Sequence, residues 1–171
     1  KYADKDVKLF YNDYNTFNPF KRNAIMDLIV KPLMDEKLID GIGMQAHLDV
    51  GFPTAAQFER AIEKYASTGL DVQVTELDIT TPDTSENGLK TQAQMYSDIL
   101  DACVKHADSI SAVIIWGVTD DQSWRAEKVP LLFDGEFQAK PAFYSITDGM
   151  EVPVYATGDL NTDGKVSVND I

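Results

Sequence analysis

The sequence predicts an α/β fold with a parallel sheet, and more specifically the C-terminal half of a (β/α)8 barrel, with about four βα units. Strand-like and helix-like segments alternate along the 171 residues, as is typical of parallel strands joined by crossover helices. Polar or aromatic side chains follow successive strand ends, which is where such a barrel assembles its active site. A complete barrel has about 250 residues, so we also expect further sequence before Lys1.

The elements follow from local composition and period. The four strand-like segments are short and rich in β-branched or aromatic residues, and they lie at 7–11, 41–46, 71–76 and 111–116. The helix-like segments repeat apolar residues near every 3.6 positions, and they lie at 20–38, 54–68 and 89–107. Thr54 is expected to cap the second helix, and Pro32 is expected to kink or reposition the first.

A doubly wound sheet is the alternative, because it also alternates strands with helices. A nucleotide-binding sheet of that type would need a glycine-rich turn between a strand and a helix, whereas "GIGMQA" lies inside a predicted strand. The barrel requires functional side chains at several strand ends. Candidates are present there at Asn12, Gln45, His47, Glu76, Asp78, Trp116 and Asp120, which favours the barrel.

Composition restricts the partners of the chain. The 15 Lys and Arg residues against 28 Asp and Glu residues give a formal net charge of −13, which argues against a nucleic acid or an anionic membrane as partner. The longest apolar run, at 112–118, is far shorter than the ~20 residues of a membrane-spanning helix. Cys103 is the single cysteine, so no internal disulfide can form.

The stretch "LDVQVTELDIT" at 70–80 carries two acids in an otherwise apolar strand. Period-2 geometry places Glu76 and Asp78 on one side of the strand, where two carboxylates repel each other and resist burial. The pair is either a strand end that reaches water or part of a functional site. Gln45 and His47 are predicted to share a face of the preceding strand, and a strand spacing of about 4.8 Å would let His47 reach a carboxylate.

His47 has three possible interpretations. The first is a core histidine with satisfied hydrogen bonds, and the second is a group that orients the acids and holds one of them ionised. The third is a metal ligand together with both acids. His106 is the only other histidine and lies in a predicted helix, which disfavours zinc.

The motif "WGVTDDQSWR" contains both tryptophans of the chain. Trp116 ends a predicted strand and could simply pack there. Trp124 follows a polar loop, where an indole face is a suitable platform for the apolar face of a sugar ring.

The last residues predict a calcium-binding loop. Oxygen ligands recur at EF-hand spacing, with a glycine at position six for the tight turn and a backbone carbonyl at position seven. The ligands are Asp159, Asn161, Asp163, Lys165 (backbone), Ser167 and Asp170. Position twelve is Asp170, where the EF-hand pattern calls for Glu.

Together with Gly158 and the continuation "DGKVSVNDI", this loop resembles the first calcium repeat of a type I dockerin, the module that docks cellulase and hemicellulase subunits onto a scaffoldin. The resemblance divides the chain into a catalytic segment at 1–149, a linker at 150–157 and a truncated dockerin at 158–171. It implies Ca2+ in the loop and a scaffoldin cohesin as partner.

Five ordered motifs carry a second resemblance: "ADKDVKLFYNDYN", "IDGIGMQAHL", "VQVTELDI", "IIWGVTDDQSW" and "PLLFDGEFQAKPAFY". From about Ala3 to Gly149 the chain resembles the second half of a glycoside hydrolase family 10 catalytic domain, the endo-β-1,4-xylanases. The resemblance implies a TIM barrel and cleavage of xylan with retention of configuration. It also implies a secreted, extracellular protein, associated with a cellulosome through the dockerin.

The resemblance also implies roles for single residues. Glu76 of the T-E-L-D motif would be the nucleophile, His47 would hydrogen-bond it, and Asp78 would hold His47. Sugar contacts would come from Gln45, Tyr14, Trp116 and Trp124. The acid/base Glu belongs to a motif that precedes this chain, so the N-terminal half of the same barrel is an expected partner. A β-1,4-glucan-active enzyme of the same fold and a non-catalytic carbohydrate-binding or scaffold-docking fragment are the alternatives.

Overall fold

Within the part of the chain that the structure describes, the sheet contains five strands, all paired in parallel, which confirms the predicted α/β class. The computed structural model describes residues 3, 4 and 6–147. The strands are β1 (Phe10–Asp13), β2 (Gly41–Met44), β3 (His47–Asp49), β4 (Asp71–Thr80) and β5 (Ile110–Ile115). β1 pairs with β2, β2 and β3 follow each other along β4, and β5 pairs with β4 as well.

Helices separate β1 from β2, β3 from β4 and β4 from β5, as the alternation predicted, and a further helix follows β5. They are α1 (Pro19–Ile25), α2 (Lys31–Asp35), α3 (Ala55–Ala66), α4 (Glu86–Lys105) and α5 (Pro141–Thr147). Two single turns of 3-10 helix, Asp120–Gln122 and Ala126–Lys128, lie in the segment after β5. None of the helices within the described ranges is long and apolar enough to cross a membrane.

Two of the expected helix features are present. The Thr54 hydroxyl accepts a hydrogen bond from the Gln57 backbone N–H at 3.2 Å, and the Gln57 side chain accepts one from the Thr54 N–H at 2.9 Å, which is a capping box. Pro32 lies in the first turn of α2, directly after a π-helical turn, Met26–Val30. Since proline has no N–H to donate to the preceding turn, the wider turn accommodates it within one continuous segment.

Several predicted boundaries were wrong by a few residues. The first strand begins at Phe10 and not at residue 7, and the last ends at Ile115, so Trp116 lies just beyond it. α4 begins at Glu86, three residues before the predicted start, because the Ser85 hydroxyl accepts a hydrogen bond from the Gly88 N–H at 3.3 Å.

The predicted strand 41–46 is interrupted, and this is the main difference from the sequence prediction. Ala46 adopts a left-handed backbone with φ of 63°, so β2 ends at Met44 and β3 starts at His47. The sequence predicted that Gln45 and His47 share the face of one continuous strand, and this prediction was wrong. A non-glycine residue in this conformation is uncommon, and such residues recur in turns and at functional sites.

A register shift in β4 accompanies this interruption. Two residues separate Met44 from His47, whereas three separate their pairing partners, Val74 and Asp78. The additional residue is typical of a β-bulge, which redirects the side chains that follow it.

The shift moves the buried side of β4 by one position. Val72 and Val74 are fully buried before it, and Leu77 and Ile79 are fully buried after it. These four side chains pack toward the helices, so Glu76 and Asp78 both lie on the other face of the sheet. Two acids on one face were expected from period 2, and the bulge determines which face it is.

The core lies between the sheet and the helices α3 and α4. Its largest fully buried side chains include Ile42, Met44, Leu48, Phe58, Ile62, Tyr65, Leu77, Ile79, Tyr96 and Ile99. Burying one such side chain contributes about 1.5–3 kcal/mol.

Asp120 was expected among the polar groups at the strand ends, but it is a structural residue. Its carboxylate accepts hydrogen bonds from Lys140 Nζ at 2.8 Å and from the Leu131 N–H at 2.7 Å. Both charged side chains are almost fully buried. Burial lowers the pKa of Lys140, and the neighbouring Asp120 opposes that shift. The pair ties the segment after β5 to the start of α5.

Candidate active site

Asn12 at the end of β1 reaches across β2 to the acid of β4. Its side-chain amide donates to Glu76 Oε1 at 2.9 Å, and Thr75 Oγ1 donates to Asn12 Oδ1 at 2.7 Å. Gly43 makes this approach possible, because a Cβ at that position would lie 2.5 Å from Asn12 Oδ1. The sequence analysis placed Asn12 at a strand end and gave it no role. The signal that could have indicated its contact with Glu76 was Gly43, which lies opposite Asn12 and has no side chain to block it.

His47 lies between the two acids. Its Nε2 is 3.2 Å from Glu76 Oε2, and its Nδ1 is 2.9 Å from Asp78 Oδ2. The pairing of β3 with β4 sets this arrangement, because His47 is directly opposite Asp78. The core-histidine interpretation does not hold, since both ring nitrogens face carboxylates of the same partly open site.

The charge of His47 is set by opposing effects. Burial lowers its pKa, but the hydrogen bond and negative charge of Asp78, together with Glu76, outweigh burial and raise it above the ordinary value. An imidazolium can donate from both nitrogens at once. The raised pKa therefore favours the form in which His47 bridges both carboxylates.

Asp78 is fully buried and accepts three hydrogen bonds from side chains. Besides His47, the donors are Trp124 Nε1 at 2.9 Å and Arg125 Nη1 at 2.8 Å. A buried carboxylate needs such partners, because an unpaired one is strongly destabilising. The sequence prediction missed Arg125, although its place directly after Trp124 was visible in "SWR".

Trp124 contributes to the site in two ways. Its indole N–H holds Asp78, and its ring meets the ring of His47 edge to face, with 4.9 Å between centroids. The side chain is nevertheless 64% exposed, so a broad aromatic surface remains free beside the carboxylates. Trp116 follows β5 and is also exposed, and its backbone N–H donates to Leu77 O at 3.0 Å. Both tryptophans therefore lie at the strand ends that carry the acids.

Gln45 and Tyr14 are less closely tied to the acids. Gln45 lies in the break between β2 and β3 and is partly exposed. Tyr14 lies just after β1, and Lys21 Nζ is 3.5 Å from the centre of its ring. Lys21 also donates to Asp13 Oδ1 at 2.7 Å. The structure places both residues at the carboxyl-terminal edge of the sheet.

The metal interpretation of His47 is not supported by its surroundings. Each of its nitrogens already has a carboxylate partner, and Asp78 is held by an arginine and an indole N–H. A different group of possible ligand atoms is formed by Glu59, Glu63 and His106 on the outer helices. Lys105 Nζ is 3.5 Å from the carboxylate of Glu59, and this ammonium group competes with a cation there.

A cavity of about 470 Å3 lies at the opposite end of the sheet, near the start of β4 and β5, and is lined among others by Lys8, Asp71 and Ser109. It is distant from the histidine and its carboxylates, and active sites of barrel enzymes lie at the other end of the strands. The predicted calcium ligands and the linker lie outside the described residues.

Parallel βα units with a histidine-bridged acid pair at the strand ends point to the class of glycoside hydrolases built on a TIM barrel. Within that class the chain belongs to glycosyl hydrolase family 10, whose family model matches residues 1–149. The family resemblance seen in the five sequence motifs is thereby confirmed.

Individual relatives agree with this assignment. Endo-1,4-beta-xylanase B of Butyrivibrio fibrisolvens is 38% identical over 181 residues, covering 96% of this chain and 28% of the relative. Exoglucanase XynX of Acetivibrio thermocellus is 41% identical over 149 residues, covering 85% of this chain and 14% of the relative. A crystal structure of an intracellular xylanase of Thermoanaerobacterium saccharolyticum, a mutant in complex with xylotetraose, is 43% identical with a TM-score of 0.80.

That structural match covers 84% of this chain and 45% of the crystallised chain. The chain thus spans about half the length of the solved xylanase and less of the curated relatives. Its βα units correspond to part of a family 10 TIM barrel, which confirms the expected fold class.

The stability of a complete barrel carrying this chain is expected to depend on pH through His47. A histidine whose pKa is raised in the folded state contributes stability below its unfolded pKa and loses this contribution as pH rises through the folded pKa. The free energy of unfolding, measured with urea between about pH 6 and pH 9, should therefore fall with pH. His47→Asn should remove this component of the slope, whereas His106→Asn should keep it. An unchanged slope in the His47 variant would contradict the charge assignment.

Proposed function

We propose that this chain supplies the nucleophile half of a retaining endo-1,4-β-xylanase, with Glu76 as nucleophile. The observation that carries the proposal is the position of Glu76 in the carboxyl-terminal half of β4, at the bulge. Asn12 binds one of its oxygens and His47 the other. The carboxylate is thereby held in one orientation beside two exposed tryptophans.

The reaction would follow from this geometry. A Glu76 oxygen forms a bond to the anomeric carbon as the glycosidic bond breaks, and a second carboxylic acid gives its proton to the departing sugar oxygen. Water then hydrolyses the glycosyl-enzyme intermediate, and the second carboxyl group accepts a proton from that water. Asn12 and His47 hold the nucleophile through both steps.

The acid/base carboxyl group would come from the N-terminal half of the barrel. Retaining enzymes separate the two carboxyl groups by about 5–5.5 Å. Asp78 is the acid nearest in sequence to Glu76, but it is fully buried and accepts hydrogen bonds from three side chains. Since a proton donor must reach the leaving oxygen, Asp78 is a positioning group and not the acid.

The substrate we propose is xylan, with sugar contacts from Trp116, Trp124, Gln45 and Tyr14. The exposed indole faces support this choice, because aromatic rings stack on the apolar faces of sugars. The similarity to proteins named as xylanases supports it too. The alternative substrate is a β-1,4-glucan, which is favoured by the similarity to a protein named as an exoglucanase.

The test is an assay of a complete barrel carrying this chain on purified xylan, on carboxymethyl cellulose and on mixed-linkage glucan. Release of xylo-oligosaccharides with retained anomeric configuration, followed by NMR at early times, is the expected result. Higher activity on the glucans would select the alternative substrate. No hydrolysis of any of the three would leave the non-catalytic, carbohydrate-binding interpretation and refute the proposal.

We also propose that residues 158–171 begin a dockerin that binds Ca2+ and docks onto a cohesin outside the cell. The support is the ligand spacing, in which oxygen-bearing residues fall at positions one, three, five, nine and twelve around Gly164.

Calcium binding is expected when the loop is extended by the helix that follows it in a dockerin. Calorimetry should show Ca2+ binding that Asp159→Ala abolishes, because the variant removes the ligand at position one. Asp148→Ala, which changes an acid outside the loop, is the matched control. Absence of binding in the extended protein would remove the dockerin interpretation and would leave the xylanase proposal intact.

A further inference from the structure

We propose that Arg125 is a positioning residue of this site, which acts on His47 and Glu76 through Asp78. The inference rests on the proposed role of Glu76, although its main readout does not require activity. Within the described residues Arg125 makes no hydrogen bond to Glu76, and its guanidinium carbon lies 5.6 Å from the centre of the Trp124 ring. Any effect on the proposed nucleophile must therefore pass through the residues that Arg125 contacts.

The two arms of the Arg125 guanidinium bind different parts of the fold. Nη1 donates to Asp78 Oδ1 at 2.8 Å and to Leu48 O at 3.0 Å. Nη2 donates to Asp49 Oδ1 at 2.6 Å and to Thr80 Oγ1 at 3.2 Å. The side chain is only 13% exposed. A planar fork with several fixed donors is a feature that lysine lacks.

The contact of Nη1 with Asp78 completes a chain of contacts that ends at the proposed nucleophile. Arg125 holds one oxygen of Asp78, His47 holds the other, and the far nitrogen of His47 meets Glu76. Every link is between 2.8 and 3.2 Å. A displacement of Asp78 would therefore be passed on to the imidazole and from there to the carboxylate of Glu76.

Charge gives the second reason for this assignment. Asp78 is fully buried, and its two cationic neighbours are His47 and Arg125. The charge of His47 disappears when its pKa is passed, whereas a guanidinium stays protonated throughout. Arg125 is thus the permanent counter-charge beside the buried carboxylate of Asp78.

The other groups around Asp78 do not replace that charge. Trp124 is a neutral donor. Tyr96 of α4 is also close enough for the charge of Asp78 to affect it, but its hydroxyl donates to Pro130 O at 2.6 Å. Glu76 is a further negative charge on the same face. Removing Arg125 therefore leaves His47 as the single cation within this group.

A purely structural role is the competing explanation. Through Asp49 and Leu48 O, Arg125 also ties the segment after β5 to β3, and loss of that tie alone could disturb the site. Asp49→Asn separates the two explanations. It weakens the contact between Nη2 and the half-exposed carboxylate of Asp49, and it leaves the contact between Nη1 and Asp78 in place.

The experiment compares Arg125→Met, Arg125→Lys, Asp49→Asn and Arg60→Met in a complete barrel carrying this chain. Arg60 is an exposed arginine of α3 and controls for the loss of a positive charge. Each variant is assayed for kcat and KM on xylan, and the ring of His47 is titrated by 15N NMR. His47→Asn assigns the signal, and circular dichroism confirms folding.

For Arg125→Met we expect kcat to fall by a factor on the order of 100 with little change in KM, as for a misplaced reacting group. The His47 titration should move to higher pH, because Asp78 attracts the imidazolium more strongly once the guanidinium is gone. Arg125→Lys should return the titration toward its original position but recover only part of kcat. Asp49→Asn and Arg60→Met should keep both properties.

Two outcomes would overturn the inference: an unmoved His47 titration in folded Arg125→Met, or the same loss of kcat in Asp49→Asn. If Arg125→Met does not fold, wild-type kcat in Arg125→Lys overturns it instead. An inactive wild-type barrel would refute the proposed function, yet the titration would still decide whether Arg125 acts on His47.

Discussion

Glu76→Gln is expected to lower kcat on xylan by several orders of magnitude in a complete barrel carrying this chain. An amide is too weak a nucleophile to form the glycosyl-enzyme intermediate. The variant should keep its fold, because glutamine has nearly the same shape and can still accept a hydrogen bond from Asn12. Steady-state assays together with circular dichroism measure both properties.

Glu63→Gln is the matched control, because it makes the same substitution at an exposed position of α3. It should leave kcat and KM close to their original values. Azide provides an independent check on Glu76→Ala, because it can enter the space left by the carboxylate, attack the anomeric carbon as the glycosidic bond breaks, and give a glycosyl azide of inverted configuration. Activity of Glu76→Gln near that of the unmodified barrel would refute the assignment of the nucleophile.

The isolated chain is expected to lack xylanase activity and to associate in solution. Among the described strands, β1 pairs only with β2, and β5 pairs only with β4, so each leaves one edge open. Such edges favour pairing with another chain. Val7, Ile114 and Val118 are also largely exposed, although they are apolar. In the proposed mechanism the acid/base carboxyl group comes from the other half of the barrel, so we expect the chain alone not to complete retaining cleavage.

Sedimentation velocity and a xylan assay test this expectation. The control mixes the chain with a separately produced N-terminal half from a family 10 relative. Mixing should give a particle of the size of one complete barrel, together with activity that Glu76→Gln abolishes. A stable, active monomer of the chain alone would contradict the half-barrel interpretation and the need for a second carboxyl group.

Local features explain why much of the fold was predictable. The alternation of apolar periods depends only on neighbouring residues, and it indicated a parallel sheet before any contact was known. The Thr54 cap and the adaptation around Pro32 are equally local, because each depends on one turn of helix. The motif containing Glu76 and Asp78 was sufficient to indicate an acid pair on one face.

Contacts between distant residues explain what was missed. The left-handed backbone of Ala46 and the bulge in β4 depend on how β2 and β3 align with a neighbour about 30 positions away, and no local propensity encodes that register. The role of Asp120 was misjudged for the same reason, since its partner Lys140 follows 20 positions later. A charge after a strand looks the same whether it faces a site or a buried lysine.

The sequence by itself determined the class of fold, the family and the acids, because these depend on local period and on short ordered motifs. Only the tertiary structure decided the hydrogen-bond partners within the site. Asn12 reaches Glu76 over Gly43, and Arg125 binds Asp78 from a loop 47 positions away. The physical reason is that a charged side chain can be buried only where other parts of the fold supply hydrogen-bond donors or an opposite charge. The buried carboxylate of Asp78 is stabilised because donors from separate elements converge on it, and these donors come together only after the strands have paired.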